Sequence, residues 1–357
     1  MSIIKRIAKR LSKPEKTKIK TLTFSITNIC NLKCIQCSIW KTYDKKEHDL
    51  KDEVSIDDIK RFLKGSKYLK SLQEINITGG EPFLKKDFVE IVKYMIDIFP
   101  EVAIRISSNG VVGEKILNDL KDIFKYKEKA NVGIGFSLDG DMTMHDKLRG
   151  KDGIYQKVIN TIMLLKRELP NLKISIGFVS TPDNYDQIYD VYKTAKKMGL
   201  SFSTAYIQRS ENYYGNNIDM KIDWTDAKLK KADELMDRII EEGNLTFIEK
   251  MFYKKGLEYQ KYPHRMFECF AGTHSLYVDP YGEVYPCIML NKSIGNIKNG
   301  DFDKEWMSER SESVRNYIKE KKCHCWTNCE TIPSLLKDRK ILLKNTLYSI
   351  RKKNYGK

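Results

Sequence analysis

Six short runs rich in β-branched residues recur at positions 21–27, 74–78, 102–107, 132–138, 173–179 and 201–206. Between them, apolar residues fall at helical spacing, as in Ile59, Phe62 and Leu63, or Val158, Ile159, Ile162 and Leu165. A strand buries its apolar residues on a period of two and a helix on a period of 3.6, so regular alternation of the two patterns gives a parallel sheet covered by helices. Six such units predict an α/β chain whose residues 21–221 form a partial (β/α)6 TIM-like barrel.

In parallel β/α folds the reacting groups collect at the carboxyl ends of the strands. Cys30, Cys34 and Cys37 follow the first run, Gly79-Gly80-Glu81-Pro82 the second, Ser107-Ser108-Asn109-Gly110 the third, and Ser137-Leu138-Asp139-Gly140 the fourth. One glycine-containing loop alone reads as an ordinary turn, because glycine adopts positive φ without a clash. Four at the same end of one sheet read as the lining of a mouth.

No run approaches the roughly 18 apolar residues of a membrane span, and lysines and arginines interrupt the N-terminus where a signal peptide needs its apolar core. The expected location is therefore cytoplasmic, where thiols stay reduced, and the eight cysteines read as metal ligands rather than disulfides. Cys30, Cys34 and Cys37 are followed by none until Cys269, Cys287, Cys323, Cys325 and Cys329, which implies two sites. Structural zinc takes four protein ligands, and His48 stands eleven residues beyond the first triplet. Three thiolates on a four-iron cluster leave one iron open to a cofactor or substrate.

Cys30-x3-Cys34-x2-Cys37 after the first strand, with Gly79-Gly80-Glu81-Pro82 after the second, resembles the radical S-adenosylmethionine (SAM) superfamily. The resemblance implies that the triplet holds a [4Fe-4S] cluster whose open iron chelates SAM. One electron then yields a 5'-deoxyadenosyl radical that abstracts hydrogen from the substrate. It also implies SAM contacts at Gly79, Gly80, Glu81 and Pro82, and softer ones at Ser108, Asn109, Ser137 and Asp139. Many members carry an aromatic residue before the third cysteine; this chain has Gln36, which leaves Trp40 as a substitute against the adenine. His145 to Gly150 resembles the subgroup with a C-terminal cluster domain. There Arg149 could grip a carboxylate or simply pair with Asp146 on a solvated helix start.

Cys269 and Cys287 flank Val278-Asp-Pro-Tyr-Gly-Glu-Val-Tyr285, two apolar runs about a Pro/Gly turn, which predicts a β-hairpin. Cys323, Cys325 and Cys329 follow a helical stretch around residues 306–318. This end resembles the SPASM and twitch extensions of radical SAM enzymes. With five cysteines it implies one auxiliary [4Fe-4S] cluster, held by Cys269, Cys287 and two of the other three. Thiolate spacing by itself also fits a four-cysteine zinc knuckle, and His274 and His324 read as structural. Residues 263–335 are thus a small C-terminal iron-sulfur cluster domain, joined to the barrel by a helical bridge at 222–262.

The net charge of +16 is concentrated at the ends: eight basic residues oppose Glu15 in 1–20, and eight oppose Asp338 in 337–357. The body is nearly neutral and carries no broad nucleic-acid footprint. Residues 2–12 set Ile3, Ile4, Ile7, Ala8 and Leu11 against Lys5, Arg6, Lys9 and Arg10, and 335–353 mix leucines with lysines in the same way. Such basic amphipathic segments suit an anionic membrane surface or packing on the barrel.

Together these features predict a radical SAM oxidoreductase-type enzyme that draws electrons from a carrier such as flavodoxin or ferredoxin and uses its auxiliary cluster for electron transfer. The leading expectation for its substrate is a small molecule or lipid-linked sugar, because of the cysteine economy, the basic ends and only about 20 residues before the barrel. The alternative is peptide or protein modification. A non-catalytic iron-sulfur or zinc scaffold is the competitor from another class, and it leaves the joint presence of the four loops unexplained.

Overall fold

The computed structural model describes residue 16 and residues 18–43, 49–216, 222–243 and 245–337. The amphipathic patterns at 2–12 and 341–353, and His48, lie outside the described residues. Leu335 is buried and Leu336 is exposed. Among the described residues no helix is long and apolar enough to cross a membrane.

The six expected strands form: β1 (Thr21–Ser25), β2 (Glu74–Thr78), β3 (Ala103–Ser108), β4 (Val132–Ser137), β5 (Lys173–Ser180) and β6 (Ser201–Tyr206). They pair in parallel and in sequence order. Alternate residues face opposite sides of the sheet, and the registers keep like with like: Leu22 opposes Ile75 and Ile75 opposes Ile104, while Thr23 opposes Asn76 and Asn76 opposes Arg105. The apolar set (Leu22, Phe24, Ile75, Ile77, Ile104, Ile106) is buried. The polar set (Thr21, Thr23, Asn76, Thr78, Ser107) lines a cavity. The barrel interior is therefore a polar chamber rather than a packed core.

Helices α1 (Ile56–Gly65), α2 (Phe88–Ile98), α3 (Gly113–Tyr126), α4 (Met142–Arg149), α5 (Ile154–Glu168) and α6 (Ile188–Lys197) follow or precede these strands. Their buried residues recur at helical spacing, as Ile59, Phe62 and Leu63 do in α1. That helix starts at a capping box in which Ser55 and Asp58 satisfy each other's backbone N–H groups. The bridge region supplies α7 (Asp226–Glu242) and α8 (Phe247–Lys261), capped by Thr225 and Thr246.

The cysteine-rich end does not stand apart from the barrel. Strand β7 (Ser275–Val278) pairs in parallel with β1, Thr21 opposite Ser275, and the hairpin continues through β8 (Glu283–Tyr285) to β9 (Gly295–Asn296). The result is one nine-stranded open sheet in the order β6-β5-β4-β3-β2-β1-β7-β8-β9. The hairpin turn falls where the sequence placed it. Asp279 Oδ1 accepts from the Tyr281 and Glu283 N–H groups, and Gly282 takes φ 89°.

Helices α9 (Phe302–Trp306), α10 (Glu309–Lys319) and α11 (Asn328–Leu335) complete this end. Trp326 ties it to α8. The indole is buried, stacks on Phe252 and Tyr259, and donates to the Phe252 carbonyl at 3.0 Å. Removing such a side chain costs about 3–5 kcal/mol.

Candidate active site

The loop after β1 and the loop after β2 are clamped backbone to backbone. Gly80 N donates to Thr27 O and Glu81 N to Ile29 O, both at 2.7 Å. A Cβ at Gly79 would stand 2.2 Å from Thr27 O, and one at Gly80 would stand 2.2 Å from Ile29 O. These glycines are therefore demanded first by the contact between two loops of the chain itself, and beyond that they border the cavity that the three cysteines line.

Glu81 is fully buried and its carboxylate is occupied. It accepts from Ser108 Oγ at 3.0 Å, Asn109 N at 2.7 Å and Phe83 N at 3.3 Å. Burial pushes its pKa up to about 7. The side chain thus cross-links the second and third loops, while Pro82 opens the short 3-10 turn that follows. Asn109 also reaches the cysteine loop, donating to Asn31 Oδ1 at 2.7 Å.

Arg149 does not pair with Asp146, which instead accepts from the Gly153 and Tyr155 N–H groups. Its guanidinium turns inward to Asp139 Oδ2 at 2.5 Å and to Cys34 Sγ at 3.9 Å, and its Nε is buried without a partner. Burial opposes the charge, but Asp139 and Cys34 outweigh it and keep Arg149 cationic. Asp139 is likewise committed, accepting in addition from Gln36 Nε2 at 3.3 Å and Val179 N at 2.9 Å.

Cys30, Cys34 and Cys37 border one cavity of 240 Å³, together with Ser137, Trp40 and Arg149. Burial pushes Cys30 up to about 11 and Cys37 up to about 12, against which Arg149 acts. Such thiols are held protonated until a cation displaces the proton. Three reduced thiols, a buried guanidinium with a free Nε and the unpartnered Gln36 Oε1 suit an iron-sulfur cluster with a polar ligand beside it. Trp40 sits at this cavity with its indole N–H on Cys37 O at 3.0 Å.

At the other end, Cys325 Sγ and Cys329 Sγ lie 3.8 and 3.5 Å from one hydroxyl, Thr327 Oγ1. Cys269 and Cys287 share their surroundings: burial raises both, and both feel Glu330 and Cys325. Cys323 contacts Arg265, whose Nη2 stands 3.0 Å from its Sγ and donates to its carbonyl. Arg265 also acts on Cys269 and Cys325. His324 contacts the Tyr259 hydroxyl at 2.9 Å, a structural role. Cys-rich sets of this size suit an iron-sulfur cluster, which takes one thiolate per iron.

Three groups were not evident in the sequence. Glu330, buried beside the second thiol set, accepts from Ser275 Oγ at 2.9 and 2.7 Å. Tyr213 and Tyr214 contact edge to face at 4.6 Å, with the Tyr213 hydroxyl 2.5 Å from Thr78 Oγ1. Their loop straps the two sites together: Ser38 N donates to Tyr214 O at 2.7 Å, and Asn212 Nδ2 to Cys287 O at 3.3 Å. Tyr213, Tyr214, Thr78 and Ser107 border both the first cysteine cavity and the 710 Å³ barrel chamber, which reaches Cys329. The signal available was position, since Tyr213-Tyr214-Gly215 follows the sixth strand as the other loops follow theirs.

Comparison with known proteins agrees with this arrangement. Residues 24–195 match the radical SAM superfamily model, and residues 269–330 match the SPASM iron-sulfur cluster-binding domain. The chain is 28% identical over 286 residues to the antilisterial bacteriocin subtilosin biosynthesis protein AlbA of Bacillus subtilis, covering 79% of this chain and 58% of AlbA. It is 27% identical over 304 residues to the mycofactocin maturase MftC of Mycolicibacterium smegmatis, covering 82% of this chain and 71% of MftC. Its fold is similar to that of Streptococcus suis SuiB bound to S-adenosylmethionine, with a TM-score of 0.62 at 18% identity, over 84% of this chain and 68% of SuiB.

Proposed function

This chain belongs to the radical SAM superfamily and carries a C-terminal SPASM domain, and on that premise we propose that it is an enzyme that modifies a peptide. The observation that carries the proposal is the pair of relatives, each aligned over about four fifths of this chain, one named for bacteriocin biosynthesis and the other as a maturase. They favour the peptide alternative over the small-molecule or lipid-linked substrate that the cysteine economy and the basic ends suggested.

In this reading Cys30, Cys34 and Cys37 hold the SAM-binding [4Fe-4S] cluster, and Cys269, Cys287, Cys325 and Cys329 hold the auxiliary one. When bound, the first cluster and SAM supply the radical that takes a hydrogen from the substrate; the protein supplies binding, orientation and charge. Arg149 offsets the negative charge of three thiolates in a buried site, where an unpaired charge is costly. Glu81 and the glycine clamp hold the cysteine loop, the Ser108–Asn109 loop and the loop between them in one frame. Ser137 and Trp40 remain open to the cavity and are the side chains best placed for SAM.

Tyr213, Tyr214 and Thr78 form the partition at which a residue in the barrel chamber meets the cofactor cavity. The chamber's polar lining of Thr23, Asn76 and Ser107 suits a peptide backbone. Four protein thiols on the auxiliary cluster leave no iron open to substrate, which suits electron transfer and a net two-electron oxidation of the peptide.

The test is anaerobic incubation of the reconstituted protein with SAM, dithionite and candidate precursor peptides, read by mass spectrometry. The expected result is a peptide whose mass changes, with 5'-deoxyadenosine rising in its presence. Stimulation by a lipid-linked sugar or small alcohol, with every peptide inert, overturns the proposal.

A further inference from the structure

The first cluster site needs an electron from outside, and a donor must approach it at a surface next to the ligand thiols. The outer face of the cysteine loop offers such a surface. Cys34 is buried at 9% exposure, while its neighbour Ile35 is 54% exposed, an isolated apolar side chain one residue from a ligand thiol. Lys33, on the other side of Cys34, is exposed, with its ammonium 5.2 Å from the Trp40 ring.

The end of α4 is pressed onto this loop. Ile35 N donates to Leu148 O at 3.0 Å, and Gly150, at φ 71°, comes so close that a Cβ there would stand 2.3 Å from Lys33 O. Lys147 and Lys151, which flank this contact along the chain, are exposed, as is Asp152. One exposed apolar side chain and three exposed lysines thus lie on two segments that meet backbone to backbone next to Cys34.

We propose that Lys33, Ile35, Lys147 and Lys151 form the docking surface for an acidic one-electron carrier protein. The proposal rests on the reading that Cys30, Cys34 and Cys37 hold a cluster. Complementary charge of this kind speeds encounter and fixes orientation more than it adds affinity. In the transfer one electron leaves the carrier, which is oxidised, and enters the cluster, which is reduced; no bond is made or broken.

The test follows reduction of the first cluster by electron paramagnetic resonance in the reconstituted full chain. One arm uses flavodoxin hydroquinone as the carrier, and the other uses dithionite. For K33E/K147E/K151E the expected result is a carrier-driven rate lowered by about tenfold or more, loss of the salt dependence seen in the parent, and an unchanged dithionite rate. A carrier-driven rate equal to the parent's overturns the proposal. So does carrier-driven reduction that stays fast while binding to anionic vesicles is lost, which would make the patch a membrane contact. K147E/K151E leaves the cysteine loop untouched, and it decides the matter if the triple variant incorporates less iron. A parent protein that holds no iron at Cys30, Cys34 and Cys37 contradicts the cluster reading itself, a result distinct from failure of docking.

Discussion

The guanidinium of Arg265 stands 3.0 Å from the thiol of Cys323 and donates to that residue's carbonyl as well. Cys325 and Cys329 instead meet at the Thr327 hydroxyl, and on this contrast Cys323 is proposed as the cysteine outside the auxiliary cluster. Cys323→Ser is expected to keep the iron content of the parent, whereas Cys325→Ser and Cys269→Ser each lose the auxiliary cluster. Iron and sulfide analysis checks this, and a loss of iron in Cys323→Ser equal to that in Cys325→Ser would remove Cys323 from its bystander role.

Asp139 and Arg149 form a buried pair, and breaking such a pair from one side leaves an uncompensated charge, at about 3–5 kcal/mol. Arg149→Gln is expected to lower stability by that order and to weaken cluster retention, since the thiolates lose their cation. Asp139→Asn/Arg149→Gln, which removes both charges, is expected to recover part of the stability but not the cluster. Urea denaturation of the protein before cluster loading, with iron content after loading, separates the two effects.

Glu81 gives a pH signature. Its native pKa of about 7 lies above the ordinary 4.5. Between those values the folded state binds more protons than the unfolded state, so this group's contribution to stability is greatest at low pH and falls as pH rises through 7. The stability of the parent relative to Glu81→Gln, whose amide does not titrate, is expected to decline from pH 5 to pH 8. A difference that is flat over that range contradicts the buried, raised carboxyl.

Gly256 lies inside α8, where alanine would ordinarily gain about 1 kcal/mol of helix propensity. A Cβ there would meet the Tyr206 ring at 2.1 Å and Trp326 Nε1 at 2.7 Å. Overpacking of that kind costs about 1–3 kcal/mol, so Gly256→Ala is expected to destabilise the protein despite the better propensity. Thermal unfolding checks the sign.

Much of the fold was legible because its signals are local. The polar and apolar alternation in Thr21-Leu22-Thr23-Phe24 and Glu74-Ile75-Asn76-Ile77 marked strands with one buried face, and the same alternation explains why the barrel interior is a polar chamber. The partners of those strands were less visible. That β7 joins β1 depends on a pairing between residues some 250 positions apart, which no local pattern carries.

At the site, the cysteines and the loops were read from position, but the tasks of individual side chains were not. The resemblance implied Glu81 and Asp139 as cofactor contacts; the fold adds partners within the protein that the sequence did not show, Ser108 and Asn109 for Glu81 and Arg149 for Asp139. Tyr213 and Glu330 look like ordinary residues until the chain brings Thr78 and Ser275 to them.

On the proposed function, two cysteine sets hold two distinct clusters and only the first cleaves SAM. The measurement is 5'-deoxyadenosine formation, with iron content, in the anaerobically reconstituted parent and in Cys30→Ala/Cys34→Ala/Cys37→Ala. SAM cleavage and about eight irons are expected in the parent, against no cleavage and about four irons in the variant. A variant that still cleaves SAM, or that keeps all of its iron, would contradict it.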